Sequence, residues 1–341
     1  MIDPEAKLNP KLFDKDIEQK PTRDGYGLGL VEAGERDKRV VVLCADLSES
    51  TRSAMFQKEF PDRFIECGIA EQNMMDVAAG LALAGKVPFV STYAVFCPGL
   101  NWSQIRVCVL QNDANVKITG AHAGISVGPD GMSHQGIEDI AITRCLPGLT
   151  VIAPCDSIET RKATLAAART KGAFYLRFAR EKTPVFTTEK TPFEIGRAII
   201  LRDVKDARPS EAPEERRRVA IIGCGPLVYN ALVAAEELSK EGIEAMVINC
   251  HTIKPLDEKT ITEAAQKCGA VVSVEEHQVM GGLGSAIAEV LAKNHPVPQE
   301  FIGVQDRWGE SGEPDELIEK MGMGVGSIKE AVKKAISRKT K

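Results

Sequence analysis

Nine cysteines are scattered singly through 341 residues, and no two form a Cys-x-x-Cys pair. That spacing gives no zinc knuckle and no redox dithiol. Most of them, such as Cys44 within Val40-Val-Val-Leu-Cys-Ala45, lie in apolar surroundings and read as reduced core residues. An excess of positive charge is also missing. The 48 acidic and 43 basic residues leave a formal charge of −5, so there is no basic footprint for nucleic acid or an anionic membrane. Met1 to Gly25 is polar and lacks an apolar signal core, and the small apolar run Val77 to Ala84 is far too short to span a bilayer. These absences favour small-molecule chemistry in the cytoplasm. No Walker lysine loop occurs, and Gly223-Cys-Gly225 lacks the third glycine of a dinucleotide loop, so it reads as a tight strand-to-helix turn. Aromatics make up only 5% of the chain, so a ring beside polar residues is worth weighing.

What is present is an alternation of short apolar runs with helical stretches. The length suits two domains. Runs at 39–45, 87–91, 116–119, 150–153 and 174–178 predict buried parallel strands. Helices are expected at Glu71–Ala84, Trp102–Leu110 and Ser157–Thr170, the last capped by Asp156 or Ser157. The texture changes at Thr187-Thr-Glu-Lys-Thr-Pro192, which places a boundary near residue 190 between domains 1–190 and 191–341. The second unit has predicted strands at 197–201, 219–223, 245–249 and 271–274, and helices at 229–241, 258–267 and from Ser285. A solvated charged loop is expected from Arg202 to Arg218. The fold class is α/β: a doubly wound parallel sheet followed by a smaller α/β domain.

Three polar features interrupt this pattern. Glu71 opens a helix within Cys67-Gly-Ile-Ala-Glu-Gln-Asn-Met74 and shares a face with Met74, Met75 and Ala78. The helix dipole and free N–H groups alone can explain a glutamate there, but a carboxylate on a packed face needs a partner. The glycine-rich loop Gly120 to His134 follows a strand and carries His122, Asp130 and His134. This set suits proton-handling imidazoles at least as well as a metal, since a twelve-residue separation lacks the tight spacing of most zinc pairs. Tyr93 and Phe96, in Ser91-Thr-Tyr-Ala-Val-Phe96, either stack on a flat heterocycle or fill the core.

Taken in order, Asp46-Leu-Ser-Glu-Ser50, Arg63 to Met74, Ser91 to Phe96, the His122–His134 loop, Leu146 to Asp156 and Leu176-Arg-Phe-Ala-Arg180 resemble the pyrimidine-binding half of transketolases. Residues 219–341 resemble the transketolase C-terminal domain, so the likeness covers nearly the whole chain. The resemblance implies that Glu71 hydrogen-bonds the aminopyrimidine ring of thiamine diphosphate and so assists removal of the thiazolium proton. It also implies that Tyr93 and Phe96 flank that ring, with Ile69 packing nearby. By the same resemblance His122 and His134 bond the donor sugar's oxygens, Asp130 takes a hydroxyl, and Ser50 and Arg180 hold its terminal phosphate.

The chain contains no Gly-Asp-Gly, the family's signature for the magnesium and diphosphate half of the site. No metal ligand is therefore assigned here. Magnesium is expected on a second, N-terminal subunit, with the two chains associating in a heterotetramer that acts on sugar phosphates. Where many relatives carry a third ring and an arginine beside the sugar channel, this sequence reads Gly99-Leu100-Asn101-Trp102, which leaves the acceptor sugar open and Trp102 available to fill the space. Three rival readings are a deoxyxylulose phosphate synthase, a 2-oxo-acid dehydrogenase β subunit and a non-catalytic partner. The His122–Asp130–His134 loop favours ketose transfer over the first two. The polar set, kept together, argues against the third.

Overall fold

The computed structural model describes residues 1–204 and 217–339; most of the charged loop expected at 202–218 lies outside them. Two parallel sheets organise the chain. The strands are β1 (Gln19–Pro21), β2 (Val40–Cys44), β3 (Phe64–Glu66), β4 (Val87–Tyr93), β5 (Lys117–Ala121), β6 (Leu149–Ile152) and β7 (Ala173–Arg177). They continue with β8 (Lys182–Pro184), β9 (Ile199–Arg202), β10 (Arg218–Gly223), β11 (Glu244–Asn249), β12 (Thr252–Lys254), β13 (Val271–Gln278) and β14 (Gln299–Val304). One sheet runs β12-β6-β7-β5-β4-β2-β3, the other β14-β13-β10-β11-β9, and β1 pairs with β8 in a small ribbon. Strands β2, β4, β5, β7 and β10 are buried along their whole length, as the unbroken apolar runs predict for a sheet covered on both faces. The α/β class, with a doubly wound sheet followed by a smaller α/β unit, is what the sequence pattern implies.

Two strands run against their neighbours. β9 lies antiparallel to β11 at one edge of the second sheet. β12, although it follows β11 in the chain, crosses over and pairs antiparallel with β6, closing the edge of the first sheet. A cluster of buried apolar side chains passes from Ile118 and Val151 to Ile222 and Ile248, so the two halves share a core.

The helices depart from expectation in instructive ways. Helix Thr22–Arg36 has no clear apolar periodicity and is absent from the sequence reading. It is held by close approach instead: a Cβ on Gly25 would fall 1.9 Å from the Ser157 carbonyl oxygen, and one on Gly29 would fall 2.7 Å from Thr164 Cβ, both on or beside helix Ser157–Arg169. The helix expected at 102–110 is a short α turn, Trp102–Gln104, followed by π turns over Ile105–Leu110. Helix Ser157–Arg169 has Asp156 as its N-cap, accepting from the Glu159 amide at 2.9 Å. Helix Glu71–Leu83 buries Met74, Met75, Ala78 and Ala79. Truncating either methionine should cost about 2–5 kcal/mol. Among the described residues no helix is long and apolar enough to cross a membrane.

Candidate active site

The polar residues singled out from sequence gather at the carboxyl ends of the first sheet, where open parallel sheets bind ligands. The strand order reverses between β2 and β4. Ser50 lies in the short helix Ser48–Thr51 after β2, Tyr93 ends β4, His122 follows β5, Arg180 follows β7, and Glu71 begins the helix after β3.

Glu71 is 6% exposed, and its carboxylate has no hydrogen-bond or ion-pair partner among the described residues. Its backbone is fixed: Asn101 Nδ2 donates to the Glu71 carbonyl at 3.2 Å, and Gln72 Nε2 donates to the Leu100 carbonyl at 3.0 Å. The turn after β4 therefore locks the first turn of the helix while leaving the acid group free. A carboxylate that the fold leaves unpaired is ready to accept from a ligand N–H.

Four rings assemble around the turn after β4. Tyr93 and Phe96 lie nearly parallel with centroids 5.9 Å apart, and Tyr93 stacks on His122 at 4.0 Å. His134 meets both aromatic rings edge-on, at 6.1 and 5.6 Å, and its Nδ1 shares a hydrogen with Ser133 Oγ at 2.9 Å. His122 is held at φ 54°, a left-handed conformation that costs energy in a non-glycine residue and that here aims the imidazole at the shelf. Burial, then Arg23, Arg180, His134 and Arg52, press its pKa down to about 3, so the ring is neutral at physiological pH. Arg23 Nη1 lies 3.5 Å from His122 Nε2. A guanidinium can only donate, which assigns the ring proton to Nδ1, a buried atom with no partner.

The cationic rim is wider than the sequence reading assigns. Arg180 Nη1 donates to the Val127 carbonyl at 2.7 Å and stands 3.8 Å from Asp130, so both residues meet across the glycine-rich loop. Ser50 is reached through its backbone: Arg23 Nη1 donates to the Ser50 carbonyl at 2.9 Å. Burial and neighbouring Arg52 lower the Arg23 pKa, with Arg180 adding to the effect. Arg52 itself pairs with Asp24 at 2.7 Å. Three arginines thus converge on His122, and Arg23 and Arg52 are absent from the sequence-derived set. The only mark of Arg23 in the sequence is Pro21-Thr-Arg-Asp-Gly-Tyr-Gly-Leu-Gly29, whose alternate glycines take on meaning as close helix contacts only in the fold.

Not every candidate is drawn in. Ile69 is 81% exposed in this chain. Gly99 is required by its own turn, since a Cβ there would lie 2.5 Å from the Val95 carbonyl oxygen; a third ring at this position would displace the backbone. Leu100 is exposed, while Trp102 is half-buried with its indole N–H donating to the Ile142 carbonyl at 2.7 Å.

Fold and site together define a thiamine-type half-site: a parallel sheet carrying an unpaired acid, a ring shelf, two histidines and an arginine rim. Residues 18–185 match the transketolase pyrimidine-binding domain and residues 210–328 the transketolase C-terminal domain. A protein of Methanocaldococcus jannaschii described as a transketolase C-terminal section is 44% identical over 91% of this chain and 94% of its own length. The 6-deoxy-6-sulfo-D-fructose transketolase subunit of a Clostridium species is 38% identical over 96% of this chain and 98% of its own. Human transketolase is 37% identical over 93% of this chain but 49% of its own, so this chain spans about half its length. Among solved structures, the inactive β4 tetramer of a split-gene transketolase superposes with a TM-score of 0.85 at 42% identity, covering 94% of this chain and 99% of that one. The chain belongs to the transketolase family, a family of thiamine diphosphate enzymes.

The residues present fit one half of that cofactor. Glu71 offers the acceptor and Tyr93 and Phe96 the flat walls that an aminopyrimidine requires. The described residues contain no group of three or more His, Cys, Asp or Glu side chains placed to hold an ion.

Proposed function

We propose that the chain is the C-terminal subunit of a two-chain transketolase, moving a two-carbon ketol unit from a ketose phosphate to an aldose phosphate. It is active only with an N-terminal, diphosphate-binding subunit that holds magnesium. Residues 1–190 form the pyrimidine side and 191–341 the C-terminal domain. The observation that carries this reading is Glu71, buried with its carboxylate unpartnered, on a helix start that Asn101 ties to the turn carrying the Tyr93–Phe96 pair.

Thiamine diphosphate, with its pyrimidine held by Glu71, Tyr93 and Phe96, would supply an acidic thiazolium carbon. Glu71 accepts a hydrogen bond from the pyrimidine, and low local dielectric strengthens it. Ile69, solvent-facing in this chain, packs near the ring once the partner subunit closes the site. His122, kept neutral, and His134 exchange hydrogen bonds and protons with the donor's oxygens. Asp130 takes a sugar hydroxyl. Ser50 and Arg180, joined by Arg23, hold the terminal anion, since a guanidinium fork matches a tetrahedral oxyanion group. The sulfosugar relative extends the set of donors to be assayed from terminal phosphates to terminal sulfonates. Exposed Val77 and Leu83 on helix Glu71–Leu83 support self-association within a heterotetramer.

The test is reconstitution. The chain is mixed with the N-terminal subunit of a split transketolase, thiamine diphosphate and magnesium, and ketol transfer from xylulose phosphate to ribose phosphate is measured, with each chain alone as control. Transfer only in the mixture is expected. Pyruvate consumption with release of carbon dioxide, without ketol transfer, would contradict the assignment in favour of the synthase.

A further inference from the structure

The second sheet has its own crevice. Its order, β14-β13-β10-β11-β9, reverses between β10 and β13, and the space beyond the carboxyl ends at such a reversal is where open α/β sheets take ligands. Here the chain itself fills that space. The Gly225 amide donates to the Ala153 carbonyl at 3.1 Å, and Asn249 Nδ2 donates to Glu159 at 2.8 Å. The main plug is built on Glu275-Glu276-His277, near the end of β13.

These three buried residues divide the work. The Glu275 carboxylate stays within its own domain, accepting from the Leu283 and Gly284 amides at 2.7 and 2.8 Å. His277 crosses to the first domain: Nδ1 donates to the Gln278 carbonyl at 2.7 Å, which leaves Nε2 to accept from the Ile140 and Ala141 amides at 3.2 and 3.3 Å. Glu276 points at the loop that carries His122, Asp130 and His134. Its Oε1 accepts from the Ser126 amide at 2.5 Å, and its carbonyl accepts from Arg177 Nη2 at 2.7 Å. Gly124, at φ 89°, lies directly against this group: a Cβ there would fall 2.3 Å from Glu276 Oε1. The far side of the loop is tied down as well, because Gln135 Nε2 bridges the Ile125 and Glu310 carbonyls, both at 3.0 Å.

The loop needs such support. It holds positive φ at His122, Gly124, Gly128 and Gly131, and glycine-rich backbone without tertiary ties samples many conformations. We propose that the C-terminal domain is a brace for the donor-binding loop, with Glu276 as its main positioning residue and Gln135 as the second tie. This rests on the reading of that loop as the donor site.

Two readouts test it, on full-length chain and on the assembled enzyme. Glu276→Ala removes the acceptor, whereas Glu276→Gln retains one oxygen for the Ser126 amide. By hydrogen exchange, Glu276→Ala should open the amides of 122–136 about tenfold faster while β10 and β13 stay protected. In the assembled enzyme the donor KM should rise about fivefold or more, the acceptor KM staying within about twofold, and Glu276→Gln should restore most of both. Gln135→Met, which leaves Glu276 in place, should move both readouts the same way by about threefold; it decides the matter if Glu276→Ala does not fold. Unchanged loop exchange and donor KM, loosening spread evenly over the chain, or no rescue by Glu276→Gln would overturn the brace. A wild-type mixture without ketol transfer would strike down the functional reading instead, and the exchange measurement would still decide whether the loop is braced.

Discussion

Three buried glutamates in this chain have opposite fates. Glu275 and Glu276, in the C-terminal domain, each accept from backbone amides that the fold places against them. Glu71, in the first domain and almost as deeply buried, has no such partner for its carboxylate among the described residues. Burial alone therefore does not mark a functional acid. What separates the two regions is whether the chain satisfies the group itself or leaves it for something that arrives later. The same contrast holds for histidine: His277 has both nitrogens engaged, whereas His122 keeps an unpartnered Nδ1.

The contrast can be broken at several points. The largest effect is expected at Glu71. Glu71→Gln should lower turnover of the assembled enzyme about a hundredfold or more while leaving the chain's melting temperature unchanged or raised, since nothing in the fold relies on that carboxylate. A melting temperature that falls with turnover would make Glu71 one more structural acid. Glu275→Ala should do the reverse. It orphans two amides in the first turn of helix Leu283–Asn294 and should cost about 2–4 kcal/mol in urea unfolding. A loss below about 0.5 kcal/mol would show that water replaces the carboxylate cheaply.

Smaller effects sharpen the picture at the rim. Arg180→Ala should raise the KM for phosphorylated donors about tenfold, leave kcat within about twofold, and spare unphosphorylated ketoses. Equal losses for both kinds of donor would refute the anion assignment. For His122 the sign follows from its depressed pKa. The unfolded chain takes up the proton near pH 6.5, whereas the folded one does so only near about 3, so the residue costs stability as pH falls through that window. Glu275, raised to about 7 by burial, acts oppositely by taking its proton earlier when folded. The comparison must therefore be made against a His122→Gln variant. Between pH 7 and 5.5 the wild type should lose about 1.3 kcal/mol relative to it, and parallel stability curves would show that the fold does not depress the pKa of His122.

Much of this was legible from the residues. Runs such as Val40–Cys44 and Val87–Tyr93 announce buried parallel strands because a sheet covered on both faces needs no polar alternation. The loop from His122 to His134 and the acid at Glu71 stood out because glycine and charge are out of place beside such runs. Helix Thr22–Arg36, and Arg23 with it, was illegible because glycine contacts rather than an apolar stripe hold it in place. The crossing of β12 onto the first sheet was equally hidden, since three residues carry no signal of the strand they will meet. So was the role of Glu275-Glu276-His277: in the sequence it reads as a polar end to a strand, and only the fold brings Ser126 and Ile140 to it.

The central claim is that Glu71 is left unpaired in order to serve the cofactor's ring. Its most direct test is the rate of deuterium exchange at the thiazolium carbon of thiamine diphosphate, measured by NMR in the assembled two-chain complex with and without Glu71→Gln. Exchange slowed about a hundredfold in a fully loaded variant is the predicted result. Equal exchange rates would contradict it and return Glu71 to the role of an ordinary first-turn acid.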